Sequence, residues 1–332
     1  MNPAMDSLEV VARGAVSPAG CSPQALWEIP LPNPTMEAIL SQPEHRVPVR
    51  RVDPRHDALL RWQQEPRLRR ASPLALFLME AANQAMAGAP EMLRDRVGLV
   101  CALSTGSVIY IRKFYADTLN QGRRSASPAL FPETAYNSPV SHLAALLKIT
   151  GACYTLMGDE TAWVEALRVA QVWLARGTVD AVLVVGGEEL DAIALEAFYR
   201  TGWVRRGLVA SEGAGAVLVR KPQGPARCIV KVAPNSVSFR SRNEQKAAWE
   251  KIFTEYNSSA PLLLPGNVVP PSLVGQISVA SQATRLSPDW GAAFTASAAW
   301  SFLQASQYRL AHQPFNLLVP GANIAVTVIS FV

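Results

Sequence analysis

The sequence predicts an α/β fold in layers, its sheets covered on both faces, and three observations carry that expectation. Candidate strands alternate with candidate helices along the chain. The strand candidates at 97–103 and 181–185 are apolar runs without in-and-out alternation, the pattern of a sheet buried on both sides. The helix candidates at 74–87 and 161–175 contain neither glycine nor proline and are long enough to cover such a sheet.

In chain order, residues 8–14 read as a short strand that closes in Gly14, followed by a loop at 16–20. Residues 22–70, rich in proline and arginine, are expected to be largely irregular covering structure. The amphipathic helix at 74–87 has Gly88 placed to end it, and the strand at 97–103 ends in Ser104-Thr105-Gly106. The helix at 161–175 runs into a turn at Gly177 and the strand at 181–185, which ends in Gly186-Gly187-Glu188-Glu189. Strands follow at 213–219, 228–232 and 261–264, with helices at 245–256 and 294–303. The chain closes with a hairpin of 316–319 and 324–331 around Pro320-Gly321-Ala322-Asn323.

Composition narrows the class. Of 332 residues, 49% are hydrophobic and 17% charged, enough for a large core. The N-terminus shows no basic stretch followed by an apolar run, and no run reaches the roughly 18 residues of a membrane span. Cys21, Cys101, Cys153 and Cys228 are scattered, which argues against zinc or a disulfide framework and fits a cytoplasmic location. No metal or cofactor is expected. Eight arginines fall between Arg46 and Arg70, with Arg67, Arg69 and Arg70 the densest group. They read as a solvated or subunit-contact face, or as a docking surface for an acidic partner. No nucleic-acid-binding motif accompanies them.

The stretch from Phe131 to Glu189 is more specific. Phe131-Pro132-Glu133-Thr134-Ala135-Tyr136-Asn137, then His142, then Gly151 lead to a strand, an elbow at Gly158-Asp159-Glu160 and a long helix. Arg176-Gly177-Thr178-Val179-Asp180-Ala181 and Gly186-Gly187-Glu188 close the segment, and Ser211-Glu212-Gly213-Ala214-Gly215 enters the next strand. This series resembles the β-ketoacyl-acyl-carrier-protein synthases. The resemblance implies the five-layered αβαβα thiolase fold, built from two pseudo-repeated halves, 1–225 and a shortened 226–332. It also implies a dimer across the strand that precedes the nucleophile. Leu130, Phe131, Thr134 and Tyr136 would then approach the neighbour's acyl tunnel or simply pack in the core, and Cys153 would lie in the interface.

The same resemblance locates four degenerate positions of the catalytic machinery. Decarboxylative condensation needs a thiolate to carry the acyl chain and two histidines to stabilise the enolate. Glu160 stands at the nucleophile position and Pro265 at the first histidine. Arg285 and Trp290 stand for the lysine and second histidine of a Lys-Ser-x-x-Gly-His run. A carboxylate forms no persistent thioester and has the wrong charge beside an enolate. A partner for Glu160 is expected, either the helix N-terminus or Arg285, although Glu212 competes for Arg285. Asp159 is expected to cap the helix, and Trp290 to plug the pocket.

The resemblance therefore implies a subunit that is not an enzyme on its own. It would pair as a heterodimer with an active ketosynthase, in the manner of the chain-length factors of type II polyketide or fatty-acid-like pathways, those of aryl-polyene type among them. Acyl carrier protein would be a partner, directly or through the ketosynthase. The rival readings are an acyltransferase or hydrolase that uses Glu160, and a non-enzymatic homodimeric scaffold.

Overall fold

The computed structural model describes residues 7–88, 94–224, 228–233, 236–256, 261–265, 284–287, 289–311, 314–321 and 325–332. In chain order the elements are β1 (Ser7–Val16), α1 (Ala25–Glu28), β2 (Thr35–Ala38), β3 (Arg46–Arg50), α2 (Asp57–Gln63), α3 (Pro73–Ala87) and β4 (Val97–Leu103). Next come α4 (Val108–Gln121), α5 (Ser138–Leu146), β5 (Cys153–Met157), α6 (Thr161–Ala175), β6 (Ala181–Glu188) and α7 (Ala192–Arg200). Then follow β7 (Ala210–Ser211), β8 (Gly213–Arg220), β9 (Ile229–Val232), β10 (Val237–Ser238), α8 (Arg242–Tyr256), β11 (Leu262–Leu264) and β12 (Thr284–Arg285). The last three are α9 (Phe294–Ala311), β13 (Phe315–Pro320) and β14 (Ala325–Phe331).

The main sheet runs β12-β11-β13-β14-β9-β1-β8-β6-β4-β5. It is two copies of one five-strand pattern joined where β1 pairs antiparallel with β9. Within each copy the first strand (β1 or β9) pairs antiparallel with the fifth (β8 or β14). The fifth pairs antiparallel with the fourth, which pairs parallel with the second, and the second pairs parallel with the third. This is the pseudo-repeat of the thiolase fold.

The apolar runs read from the sequence are buried as doubly covered strands must be. Leu99 and Cys101 of β4 face α3 and α5, while Val100 and Ala102 face the layer that holds α6 and α9. That central layer also receives Leu317, Val319 and Ile329 from the second copy, so α6 and α9 share a core with strands of both halves of the sheet. Close packing explains Gly14: a Cβ there would come within 1.9 Å of the Ala81 carbonyl oxygen on α3.

Several boundaries differ from the sequence expectation. Residues 22–70 are largely irregular, but within them β2 and β3 form a small sheet with β7, and α1 and α2 are short helices the sequence reading did not mark. β6 continues three residues past 185, α8 begins at Arg242, and α9 continues to Ala311. α4, α5 and α7 are helices with no counterpart in the sequence reading. α4 carries Val108, Ile111, Tyr115 and Leu119 at helical spacing, a signal the sequence reading passed over, although it fully buries none of its side chains. Gly266, Asn267, residues 270–283, Pro288, Ala322 and Asn323 lie outside the described residues.

Candidate functional site

The elbow between β5 and α6 is fixed by its backbone. Gly158 N–H donates to the Leu103 carbonyl at 3.0 Å, which turns the chain back over the end of β4. Asp159 accepts from Thr161 N–H at 3.0 Å and from its hydroxyl at 2.6 Å, so it caps the first turn as expected. Glu160 then enters the helix with φ −53° and only 1% exposure. Its carboxylate is thus buried at the N-terminal end of a 15-residue helix, where the backbone dipole favours negative charge.

The other degenerate positions come from the second copy of the fold. Pro265 is buried directly after β11, and Arg285 on β12 is in register with Leu264 one residue before it. Trp290 is buried, and its indole N–H donates to the Leu26 carbonyl at 3.2 Å. The ring fills core space beside α1 and α9, and its one donor is already used.

Arg285 is not the cation of Glu212. That cation is Arg51, at 2.9 Å, and Glu212 also accepts from Leu190 N–H at 3.0 Å and Val52 N–H at 3.3 Å. Arg51 further holds Glu37 through two bonds of 2.9 and 2.7 Å and the Leu190 carbonyl at 2.7 Å. Burial pushes the Glu212 carboxyl upward, opposed chiefly by Arg51. The sequence reading missed this role, although Arg51 belongs to the arginine run it noted.

Two more buried carboxylates brace the same end of the first copy. Glu188 receives four hydrogen bonds: Ser104 N–H at 2.6 Å, Thr105 N–H at 2.9 Å, the Thr105 hydroxyl at 2.6 Å and the Thr295 hydroxyl at 2.9 Å. Glu189 accepts Leu74 N–H and Ile109 N–H, both at 2.9 Å, so it caps α3 and α4 together. Burial raises each to about 7 against these donors.

The residues expected at an interface lie in the 130–136 segment and on β5. Among the described residues β5 pairs only with β4, and no strand lies on its other edge. The Ala152 carbonyl accepts from Leu99 N–H and Gly158 N–H donates to Leu103, so the even-numbered residues bond inward. The N–H groups of Cys153, Thr155 and Met157 therefore face outward. Cys153 is exposed, and Tyr154 and Met157 are 52% and 54% exposed. Phe131 is 62% exposed and lies 5.6 Å from the Phe114 ring of α4. The Thr134 hydroxyl donates to the Phe131 carbonyl, Leu130 is half-buried, and the Tyr136 ring covers Gly106. His142 Nε2 lies 3.0 and 3.1 Å from the two Glu133 carboxylate oxygens, which ties this segment to α5.

Arg67, Arg69 and Arg70 are all exposed, on a turn anchored by buried Leu68. Their neighbour Arg61 is instead held by Glu80 at 2.5 Å. Among the described residues no His, Cys, Asp and Glu group could hold a metal ion, and no helix is long and apolar enough to cross a membrane.

A family model described as "Beta-ketoacyl synthase, N-terminal domain" matches residues 41–223, more than half the chain. No curated protein sequence matches. Among solved structures, the chain is similar to the ishigamide ketosynthase/chain length factor, with TM-score 0.75 and 15% identity over 98% of this chain and 99% of that one. It is also similar to AntDE:AntF, a type II PKS acyl-carrier protein in complex with its ketosynthase (TM-score 0.74, 14% identity, 98% and 99% coverage). A third is the ketosynthase ApeO in complex with its chain length factor ApeC from Xenorhabdus doucetiae (TM-score 0.67, 15% identity, 100% of both chains).

Proposed function

The chain belongs to the β-ketoacyl synthase family, and on that premise we propose that it is a non-catalytic, chain-length-factor-like subunit that pairs with an active ketosynthase and shapes its acyl tunnel. The pathway would be of type II polyketide or fatty-acid-like character. The observation that carries the reading is Glu160, a buried carboxylate at the helix start where the family resemblance places the thiolate.

The other positions support it chemically. Pro265 has no side-chain donor to place on an enolate oxygen, and the only donor of Trp290 is committed to Leu26. Without a nucleophile and both donors, neither thioester formation nor enolate stabilisation is available. The open edge of β5, with Tyr154 and Met157 beside it, supports a strand-to-strand partner. The exposed Arg67, Arg69 and Arg70 support contact with an acidic carrier protein. A family dimer is isologous, so one degenerate protomer leaves the other's site complete. Its place would be cytoplasmic, with the carrier.

The test is co-expression with the ketosynthase encoded beside this chain, purification through a tag on one partner, and a malonyl-dependent elongation assay. One-to-one co-purification, with activity abolished by Cys-to-Ala in the partner, is expected. A homodimer that elongates or cleaves acyl thioesters unaided would overturn the reading in favour of Glu160 chemistry. A homodimer without activity would favour a scaffold.

A further inference from the structure

A cavity of about 160 Å³ opens between α7, the end of β4 and the start of α9, lined by Thr105, Ala194, Ala197, Phe198, Trp203 and Phe294, with Thr201 at its edge. None of these residues belongs to the degenerate catalytic positions or to the interface set. Three rings form its walls: Phe198 and Trp203 meet edge-on at 4.7 Å, and Phe294 lies 5.7 Å from the first and 5.4 Å from the second. Phe294 is held at φ +39°, a conformation that non-glycine residues rarely adopt. Such strain costs on the order of 1–3 kcal/mol and concentrates at binding sites. A cavity of roughly 150 Å³ is large enough for a single aromatic ring.

The polar lining narrows the ligand. The Thr105 hydroxyl donates to Glu188 at 2.6 Å, and the Thr201 hydroxyl donates to the Ala197 carbonyl at 2.7 Å. Both protons are committed, so the two oxygens can only accept. A carboxylate would meet these acceptors and, among the lining side chains, only the Trp203 indole N–H as a donor. No lining side chain is charged, so an ion would enter without a counter-ion, whereas a neutral ring loses least on leaving water. We propose that this cavity binds a neutral aromatic ring bearing a hydrogen-bond donor, a phenol or an indole, stacked among Phe198, Trp203 and Phe294. This reading is independent of the subunit role proposed above.

Saturation-transfer NMR of the full chain with phenol, indole and benzoate tests it. Phenol and indole should bind at millimolar concentration and benzoate at least tenfold more weakly. Ala197→Trp, which fills the mouth from an exposed helix position, should weaken phenol at least tenfold. Thr201→Val removes one acceptor and should weaken phenol severalfold while leaving benzene unchanged, and it decides the matter if the tryptophan variant fails to fold. Benzoate binding as tightly as phenol, phenol indifferent to the variants, or no ring bound at millimolar concentration would overturn the proposal.

Discussion

Arg51 gives the residue-scale lesson. Its guanidinium answers Glu37, Glu212 and the Leu190 carbonyl at once, and Glu212 has only 7% side-chain exposure. Removing the cation leaves a buried carboxylate with two backbone donors and no charge partner. Arg51→Ala should destabilise by about 3 kcal/mol, the low end for breaking a buried pair, because Arg51 itself is one-third exposed. Urea unfolding measures it, and Arg51→Lys should recover only part, since one ammonium cannot span both carboxylates. Glu188 and Glu189 make a pH prediction of definite sign. Each is raised to about 7 from the ordinary 4.5, so the folded chain holds protons that the unfolded chain has released. Their stabilising contribution is full below about 4.5 and is lost as pH rises through about 7. The urea midpoint should therefore fall between pH 5 and 7.5 by more in the wild type than in Glu188→Gln. An equal fall in both would remove Glu188 from the account.

At the scale of elements, legibility followed burial. The helix read at 161–175 coincides with α6, because an apolar face, a capping Asp159 and a following Gly177 all agree there. α4 spaces apolar residues helically as well, but none of its side chains is fully buried. Within 22–70, β3 went unread for another reason: Pro48 lies inside it, and proline inside a strand argues against one. The structure accommodates it because Pro48 pairs with Met36 of β2, while parallel pairing with β7 starts only at Val49. The partner of Glu212 was unreadable because it depends on where that small sheet carries Arg51. β5 offers the element-scale prediction. The Thr155 N–H points to the open edge, so Thr155→Pro should leave the β4 pairing and the melting temperature nearly unchanged. The same variant should abolish co-purification with the ketosynthase if pairing runs through this strand. A retained complex would move the interface elsewhere.

For the whole molecule, the proposed subunit role draws on both copies of the fold. α6 carries Glu160 in the first copy and the second carries Pro265 and Trp290, with α6 and α9 in one apolar core. On the proposed reading, a condensing centre divided between the copies would not be restored from one side. Glu160→Cys would return a thiol to a helix N-terminus, where the dipole favours thiolate. That variant should become acylated by an activated acyl thioester, which intact-mass spectrometry would detect. It should still give no malonyl-dependent elongation alone, because neither Pro265 nor the committed indole of Trp290 can stabilise an enolate. Acylation without elongation would separate loss of the nucleophile from loss of the donors. Elongation by the variant on its own would mean that other groups supply those donors, and the non-catalytic reading would then rest on Glu160 alone.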